Sequence, residues 1–161
     1  MTIQPQTVIG GVAAVALVTA GGFATWHYLL NKPGGDYYLY ALEEGREYVS
    51  DSREKVKFMF LGNSDFFSNL DENFDEMKKV NEVFISGDLT REEAKKVRDS
   101  GNPKLNEFAD YVYRWCAHVA REKVEGARKG DGTWDESKFQ DSVLKWKAFK
   151  EQCTVEKNKT K

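Results

Sequence analysis

The sequence predicts an all-α protein in which a single N-terminal transmembrane helix precedes a soluble helical bundle. No Asp, Glu, Lys or Arg occurs before Lys32 in this chain of 161 residues. Beyond that point, apolar residues recur at the three- and four-residue spacing of amphipathic helices, and no stretch alternates convincingly as a strand does. We divide the chain into an N-terminal flank (1–6), a transmembrane helix (7–30), a linker (31–35), a soluble helical domain (36–153) and a polar Lys-rich tail (154–161).

The uncharged segment is long enough to cross a membrane. Residues 7–30 contain no charged side chain, and a helix of that length spans about 36 Å, against a hydrocarbon core of about 30 Å. A cleaved signal peptide is the alternative, but the flank MTIQPQ lacks the basic residues of such peptides. We expect a retained anchor. Its membrane-interface residues, where amphipathic rings and a cation meet the headgroups, are Trp26, His27, Tyr28 and Lys32.

Small residues along the span predict a face for docking against another helix. They recur at heptad-like steps and would let a neighbouring backbone approach closely. The alternative is that Gly and Ala are simply common in membrane spans. The basic residues Lys32 and Arg46 follow the span, which weakly favours placing the C-terminal domain on the cytoplasmic or matrix side. The proposed docking face comprises Thr7, Gly10, Ala14, Leu17, Gly21 and Ala24.

The apolar spacing predicts five helices after the linker. Asp36 is expected to cap the first, which runs to about Gly62 with a candidate break at 50–52, and the second begins around Ser68. Thr90 and Glu93 form a capping-box pair for a short third helix that ends at 100–101. A fourth helix starts at 102–103. A last one follows Trp134 and carries an apolar stripe of Phe139, Val143, Trp146, Phe149 and Cys153.

Two stretches between predicted helices have a Gly followed two positions later by an apolar residue. These are Gly87 with Leu89 in the sequence SGDLTREE, and Gly132 with Trp134 in the sequence GDGTWDE. Both resemble the second half of the calcium-binding loop of the EF-hand family, in which the Gly makes the sharp turn.

The resemblance implies loops at Glu82–Glu93 and Ala127–Lys138. A calcium loop closes with a bidentate Glu; the first loop keeps it as Glu93, whereas the second has Lys138. Most of the remaining ligand positions lack carboxylates. The resemblance therefore implies a degenerate EF-hand-like pair that does not bind calcium, and two ordinary interhelical turns are the alternative.

No catalytic, cofactor-binding or metal-ligating constellation is predicted. His27 lies at the membrane edge, and His118 shares a polar helix face with Arg114 and Arg121. Cys116 and Cys153 fall on apolar stripes of the last two long helices. An ideal antiparallel pair would separate them by about 9 Å, beyond disulfide reach, so we expect two buried free thiols.

These observations favour a non-catalytic accessory subunit of a large membrane complex, and the host that we favour is the respiratory chain or ATP synthase of the mitochondrial inner membrane. Its partners would be other membrane subunits along the span, soluble or peripheral subunits against the helical domain, and lipid, without nucleic acid, a small-molecule substrate or a cofactor. Clusters of aromatic residues suit contact with such neighbours: Tyr37, Tyr38 and Tyr40; Phe58 and Phe60; and Phe66 and Phe67. The alternatives are a membrane-tethered EF-hand-like adaptor or regulatory protein and, for location, the endoplasmic reticulum membrane.

Overall fold

A computed structural model describes residues 34–83, 89–97, 101–140 and 143–157. The predicted span, its docking face and its four interface residues lie outside these ranges. Among the helices within the described ranges, none has the length and apolar character needed to traverse a bilayer.

The described residues form seven helices and two short strands. The predicted helical class is confirmed for these residues, whereas the expectation that no strand forms is wrong. In chain order the elements are α1 (Asp36–Glu43), β1 (Arg46–Tyr48), α2 (Arg53–Gly62), α3 (Ser64–Met77), α4 (Arg91–Ala94), α5 (Leu105–Val119), α6 (Glu136–Gln140), α7 (Val143–Cys153) and β2 (Thr154–Glu156).

The two strands pair antiparallel, with Glu47 opposite Val155 at the centre of the register. Each strand has three residues, too few for an alternating pattern to be recognised in the sequence. Arg46 reinforces the pairing, because its Nε donates to the Thr154 hydroxyl at 2.6 Å. The first residues of the predicted polar tail are therefore held against the chain that follows α1.

Helix α5 lies at the centre of the bundle, packing against α2 and α7, while α3 packs against α7. Its apolar residues recur at the spacing that places them on one broad face, and the 15-residue helix buries that face in the core. The predicted core positions of this helix are all buried. The face consists of Leu105, Phe108, Ala109, Tyr111, Val112, Trp115, Cys116 and Val119.

Local capping explains where several helices begin. The first predicted helix is divided, as the Ser50–Ser52 break suggested, and its second part is capped by Ser52 accepting from the Lys55 amide. Helix α3 begins earlier than predicted because the Asn63 side chain accepts from the amides of Asp65 and Phe66. The predicted capping box of Thr90 and Glu93 is confirmed.

Two other predicted boundaries differ from the structure. Helix α4 ends at Ala94 rather than near Gly101. Helix α5 begins at Leu105, because the Asn102 side chain accepts from the Lys104 amide in a turn before it. The predicted last helix is described on both sides of residues 141–142, which lie outside the described ranges, as α6 and α7. Val143 of its apolar stripe is 54% exposed rather than buried.

The aromatic clusters chiefly form the core. Tyr37 and Tyr40 of α1 contact the rings of Phe139 and Trp146, and Phe60 packs edge-on against Phe66. Only Phe58, among the aromatic residues predicted to meet partners, is strongly exposed, at 73%. The interpretation of these clusters as partner-binding surface is therefore wrong for the members that are buried in the core, and it stays a prediction for Phe58 and the partly buried Phe67. The buried members are Tyr37, Tyr38, Tyr40, Phe60 and Phe66.

Candidate functional site

Cys116 of α5 and Cys153 at the end of α7 form a disulfide, with their Cα atoms 5.5 Å apart. Both residues are fully buried. The prediction of two free thiols is wrong. With 37 residues of separation, loop-closure entropy gives the bond a stabilising contribution of about 4 kcal/mol.

The sequence estimate failed because it assumed one continuous hairpin of two helices turning near Asp131. In the structure, α5 ends at Val119 and the chain then runs through non-helical turns before α6 begins at Glu136. The register of α7 against α5 is therefore not set by a symmetrical turn. The sequence did contain a signal for the disulfide, because both cysteines lie on the apolar faces of helices that pack together in the core.

The linker that follows the predicted span is attached to the C-terminal end of α5. The Gly35 amide donates to the Ala120 carbonyl at 2.9 Å, and the Asp36 amide donates to the Glu122 carbonyl at 2.8 Å. The Asp36 carboxylate accepts from the Val124 amide at 2.7 Å, so this residue does not cap α1 as predicted. We call the contacts of residues 34–36 with α5 and the chain after it the linker clamp.

Only glycine fits at the centre of the linker clamp. A Cβ atom at Gly35 would lie 2.4 Å from the Arg121 carbonyl carbon and 2.5 Å from the Ala120 oxygen. Both are backbone atoms, so they cannot move away through a rotamer change as a side chain can. At the neighbouring Gly34, by contrast, a Cβ would meet nothing within 4 Å.

An open groove of about 470 Å³ lies beside the same end of α5. Its apolar part is formed by Val83, Ala117 and the ring of Tyr113, and its basic side by Arg114, His118 and Arg121, with Glu82 and Glu122 completing the lining. We call it the α5 groove. The three basic residues were noted in the sequence as one polar helix face, but Val83 joins them only through the fold.

The charges around the α5 groove are unevenly compensated. The Glu122 carboxylate is bound by Lys145, whose Nζ lies 2.6 Å from one of its oxygens. Its other oxygen lies 3.5 Å from His118 Nε2. Arg114 pairs with Asp110 at 2.8 Å. Within the described part of the chain, Arg121 makes no ion pair and donates instead to the Ala117 carbonyl at 2.9 Å.

The acidic side chains of Asp71, Glu72 and Asp75 on α3 are paired within the molecule. Arg91 of α4 binds Asp71 at 2.7 Å and Asp75 at 3.3 Å. Lys147 of α7 binds Glu72 at 3.1 Å. The cluster therefore joins α3 to its neighbours rather than presenting free carboxylates.

The second EF-hand-like stretch forms a tight hairpin turn. Arg128 and Trp134 make an antiparallel bridge, and the Arg128 guanidinium stacks over the Trp134 ring at 3.8 Å. Gly132 has φ +85°, the left-handed conformation that glycine adopts without strain. Asp131 accepts from Thr133, and this hydrogen bond holds the pKa of the carboxyl below its usual value.

The first EF-hand-like stretch is described only in part, because 84–88 lie outside the described residues. Its predicted closing residue, Glu93, accepts from the Thr90 amide and lies 2.6 Å from Lys104 Nζ. The Lys104 ammonium, together with Thr90, lowers the pKa of Glu93. Both stretches thus use their carboxylates for local turns and ion pairs, and their relation to EF-hands stays a prediction.

Among the described residues, no three His, Cys, Asp or Glu side chains are grouped closely enough to hold a metal ion. Of the side chains the sequence singled out for chemistry, the structure brings together Arg114, His118 and Arg121 in the α5 groove and joins the two cysteines. Sequence reasoning did not predict the linker clamp. The feature that could have indicated it is the Gly34-Gly35-Asp36 sequence shortly after the predicted span. No family model, curated protein or solved structure matches this chain.

Proposed function

We propose that this protein is a single-pass membrane protein whose helical domain acts, without catalysis, as a fixed accessory subunit of a larger membrane complex. The observation that carries the proposal is the linker clamp. Only residues 31–33 separate the predicted span from Gly34, whose carbonyl already accepts from Lys123 at 2.8 Å. An adaptor that searches for partners needs a long flexible tether, and this chain provides almost none.

The disulfide bears on which side of the membrane the domain faces. Disulfides persist in oxidising compartments and are rare in the cytosol. A buried Cys116–Cys153 bond therefore favours the oxidising side, against the weak preference that Lys32 and Arg46 gave. In the mitochondrial inner membrane, the location we favour, this is the face toward the intermembrane space; in the endoplasmic reticulum it is the lumen.

A native-gel experiment tests the subunit proposal. Membranes containing the full chain are dissolved in a mild detergent, and we expect the chain to migrate with a respiratory or ATP-synthase assembly of several hundred kilodaltons. Migration as a free chain of 18.4 kDa would contradict the proposal. Because both cysteines are buried, alkylation in denaturant, with and without prior reduction, tests whether the bond is present in the protein isolated from its organelle. Both thiols should react only after reduction, and reaction of both without reduction would contradict the oxidising side.

A pair of variants in the span tests the docking face. Gly21→Leu places a bulky side chain on the proposed face and should release the chain from the complex. Gly22→Leu adds the same side chain about 100° around the helix and serves as the matched control. Equal incorporation of the two variants would refute the docking face while leaving the anchor itself intact.

A further inference from the structure

The Cys116–Cys153 bond has no contact with solvent. Neither cysteine has any exposed surface, and Cys116 Sγ lies 3.5 Å from the Gln152 carbonyl oxygen. Gln152 directly precedes Cys153 at the end of α7 and is itself fully buried. A reagent in solution therefore has no direct path to either sulfur atom of the folded domain.

The segment of chain that follows α1 is bound to the end of α7 around Cys153. The buried Ser50 hydroxyl donates to the Gln152 carbonyl at 2.9 Å, and the Val49 amide donates to the carbonyl of Cys153 itself, also at 2.9 Å. Beyond Cys153, β1 pairs with β2. We call residues 46–50 the α7 strap, because they are hydrogen-bonded to the chain both before and after this cysteine.

A protein disulfide forms by exchange with an external disulfide in two attacks, each of which needs direct contact between sulfur atoms. One cysteine thiolate first attacks the external disulfide, which gives a mixed disulfide and expels one external thiolate. The second cysteine thiolate then attacks the protein sulfur of the mixed disulfide and expels the other external thiolate. Overall the two cysteines lose two electrons and two protons, and the external disulfide gains them and becomes two thiols.

Neither attack is possible while the domain is closed. The mixed disulfide would place an external group beside a sulfur atom that has no exposed surface, and a packed protein interior has no room for such a group. The same restriction applies in reverse, because a thiol that breaks the bond must pass through the same mixed disulfide. Both the formation and the reduction of the bond therefore require an open form of the domain.

We propose that the Cys116–Cys153 bond forms by exchange with an external disulfide donor before the α7 strap binds the end of α7, and that the bound strap then shields the bond from exchange. The chain is thus the substrate of a disulfide-forming reaction while it is still partly folded. The finished bond is a permanent crosslink rather than a redox switch, and it persists in a compartment that also contains free thiols. This inference depends on the described domain alone, so it stands or fails independently of the membrane anchor and the accessory role.

The rate of reduction of the oxidised full chain, kept in a nonionic detergent, measures the shielding. Dithiothreitol is added to the native protein and to the same protein in concentrated urea. Samples are quenched with acid, desalted and alkylated in denaturant, and mass spectrometry counts the thiols. We expect reduction of the native protein to be at least about a hundredfold slower than in urea, because buried core elements open rarely. Similar rates in the two conditions would show that the bond is accessible and would overturn the proposal.

A pair of serine variants locates the shielding at the α7 strap. Ser50→Ala removes the hydroxyl that donates to the buried Gln152 carbonyl, so it should speed native reduction about tenfold and leave the rate in urea unchanged. Ser68→Ala is the matched control, because it removes an exposed hydroxyl of α3 that donates to the Ser64 carbonyl at the same distance of 2.9 Å. We expect the control to change the native rate less than about twofold. Equal rates for the two variants would overturn the strap as the shield.

The urea dependence of native reduction separates opening at the strap from unfolding of the whole domain. The logarithm of the reduction rate in low urea is plotted against urea concentration, and its slope is compared with that of the free energy of unfolding. Opening at the strap exposes little surface, so we expect the slope for reduction to be less than about half of the slope for unfolding. Equal slopes would mean that the whole domain must unfold to expose the bond, and would overturn the strap as its shield.

Discussion

Helix α7 is joined to its two neighbours by different kinds of contact. Toward α5 it has the buried Cys116–Cys153 bond. Toward α3 it has one buried hydrogen bond, from Gln152 Nε2 to the Phe66 carbonyl at 3.2 Å, and polar contacts nearer the surface, where Lys147 binds Glu72 and Glu151 accepts from Asn73. The α5 side is thus held by a covalent crosslink, whereas the α3 side depends on non-covalent polar contacts, of which the ion pairs remain in contact with water.

This difference determines how much each kind of contact is expected to contribute to the free energy of unfolding. A covalent crosslink restricts the unfolded chain whatever the solvent does, and by the entropy argument it is worth about 4 kcal/mol. Exposed ion pairs are screened by water and salt, and each contributes about 0 to 1 kcal/mol. The number of charges between two helices is therefore a poor guide to how firmly they are joined.

The largest expected effect follows from removing the disulfide. The double variant Cys116→Ala/Cys153→Ala should lower the free energy of unfolding by about 4 kcal/mol. Urea unfolding of the full chain in detergent, followed by tryptophan fluorescence, measures the change. Wild-type protein in excess reductant should behave similarly, and a loss below about 1 kcal/mol in both would show that packing rather than the crosslink holds α7 to α5.

The linker clamp, also on the α5 side, gives the next effect. Gly35→Ala forces a methyl group into backbone atoms at 2.4 and 2.5 Å, and overpacking of this kind costs about 1–3 kcal/mol. Gly34→Ala is the matched control, since its methyl group meets nothing within 4 Å. Thermal unfolding compares the two, and faster hydrogen exchange at the Val124 amide in Gly35→Ala alone would locate the damage. Equal stability of both variants would contradict the clamp.

On the α3 side, Lys147→Gln should have a small effect. The variant loses the ion pairs with Glu72 and Glu151, but the Lys147 side chain is 40% exposed. We expect a loss of less than about 1 kcal/mol, which decreases further in 0.5 M salt. Urea unfolding at low and high salt measures it. A loss above about 2 kcal/mol would mean that this side also depends on its charges, and the comparison would no longer hold.

The smallest effect concerns Glu93 of α4. The contact with Lys104, and to a smaller extent those with Thr90, hold the pKa of the Glu93 carboxyl below its usual value. The stability that Glu93 contributes is therefore present above the unfolded-state pKa. It is lost as the pH falls through the lower folded-state pKa. Lys104→Gln should raise the pKa of the Glu93 carboxyl, measured by a carbon-detected NMR titration. Lys95→Gln is the control because Lys95 binds Glu92 instead. Identical Glu93 titrations in the two variants would count against the Lys104 contact.

The sequence predicts the helices well where one buried stripe or one cap decides the outcome. The face of α5 and the capping box of Thr90 and Glu93 are examples, since spacing along a single element fixes both. Predictions failed where two distant segments had to meet. The strand pairing of Arg46 with Glu156 joins residues 110 positions apart, and no local pattern in either segment marks the other as its partner.

The candidate site was predictable only in its parts. The sequence placed Arg114, His118 and Arg121 on one face of a helix, but it could not show that Val83 would lie beside them. It likewise placed both cysteines on apolar stripes, while the geometry of an idealised helix pair argued against their bond. In each case the missing quantity was the relative position of two elements, which depends on packing between them.

The disulfide also determines how the chain responds to being cut. The Gly130–Gly132 turn is exposed and lies inside the covalent ring that Cys116 and Cys153 close, and exposed turns rich in glycine are preferred sites of proteolysis. A single nick there leaves two fragments linked, so the protein keeps its mass on a non-reducing gel and separates only after reduction. Helix α7 and β2 would thus remain attached to α5 in an environment that contains proteases.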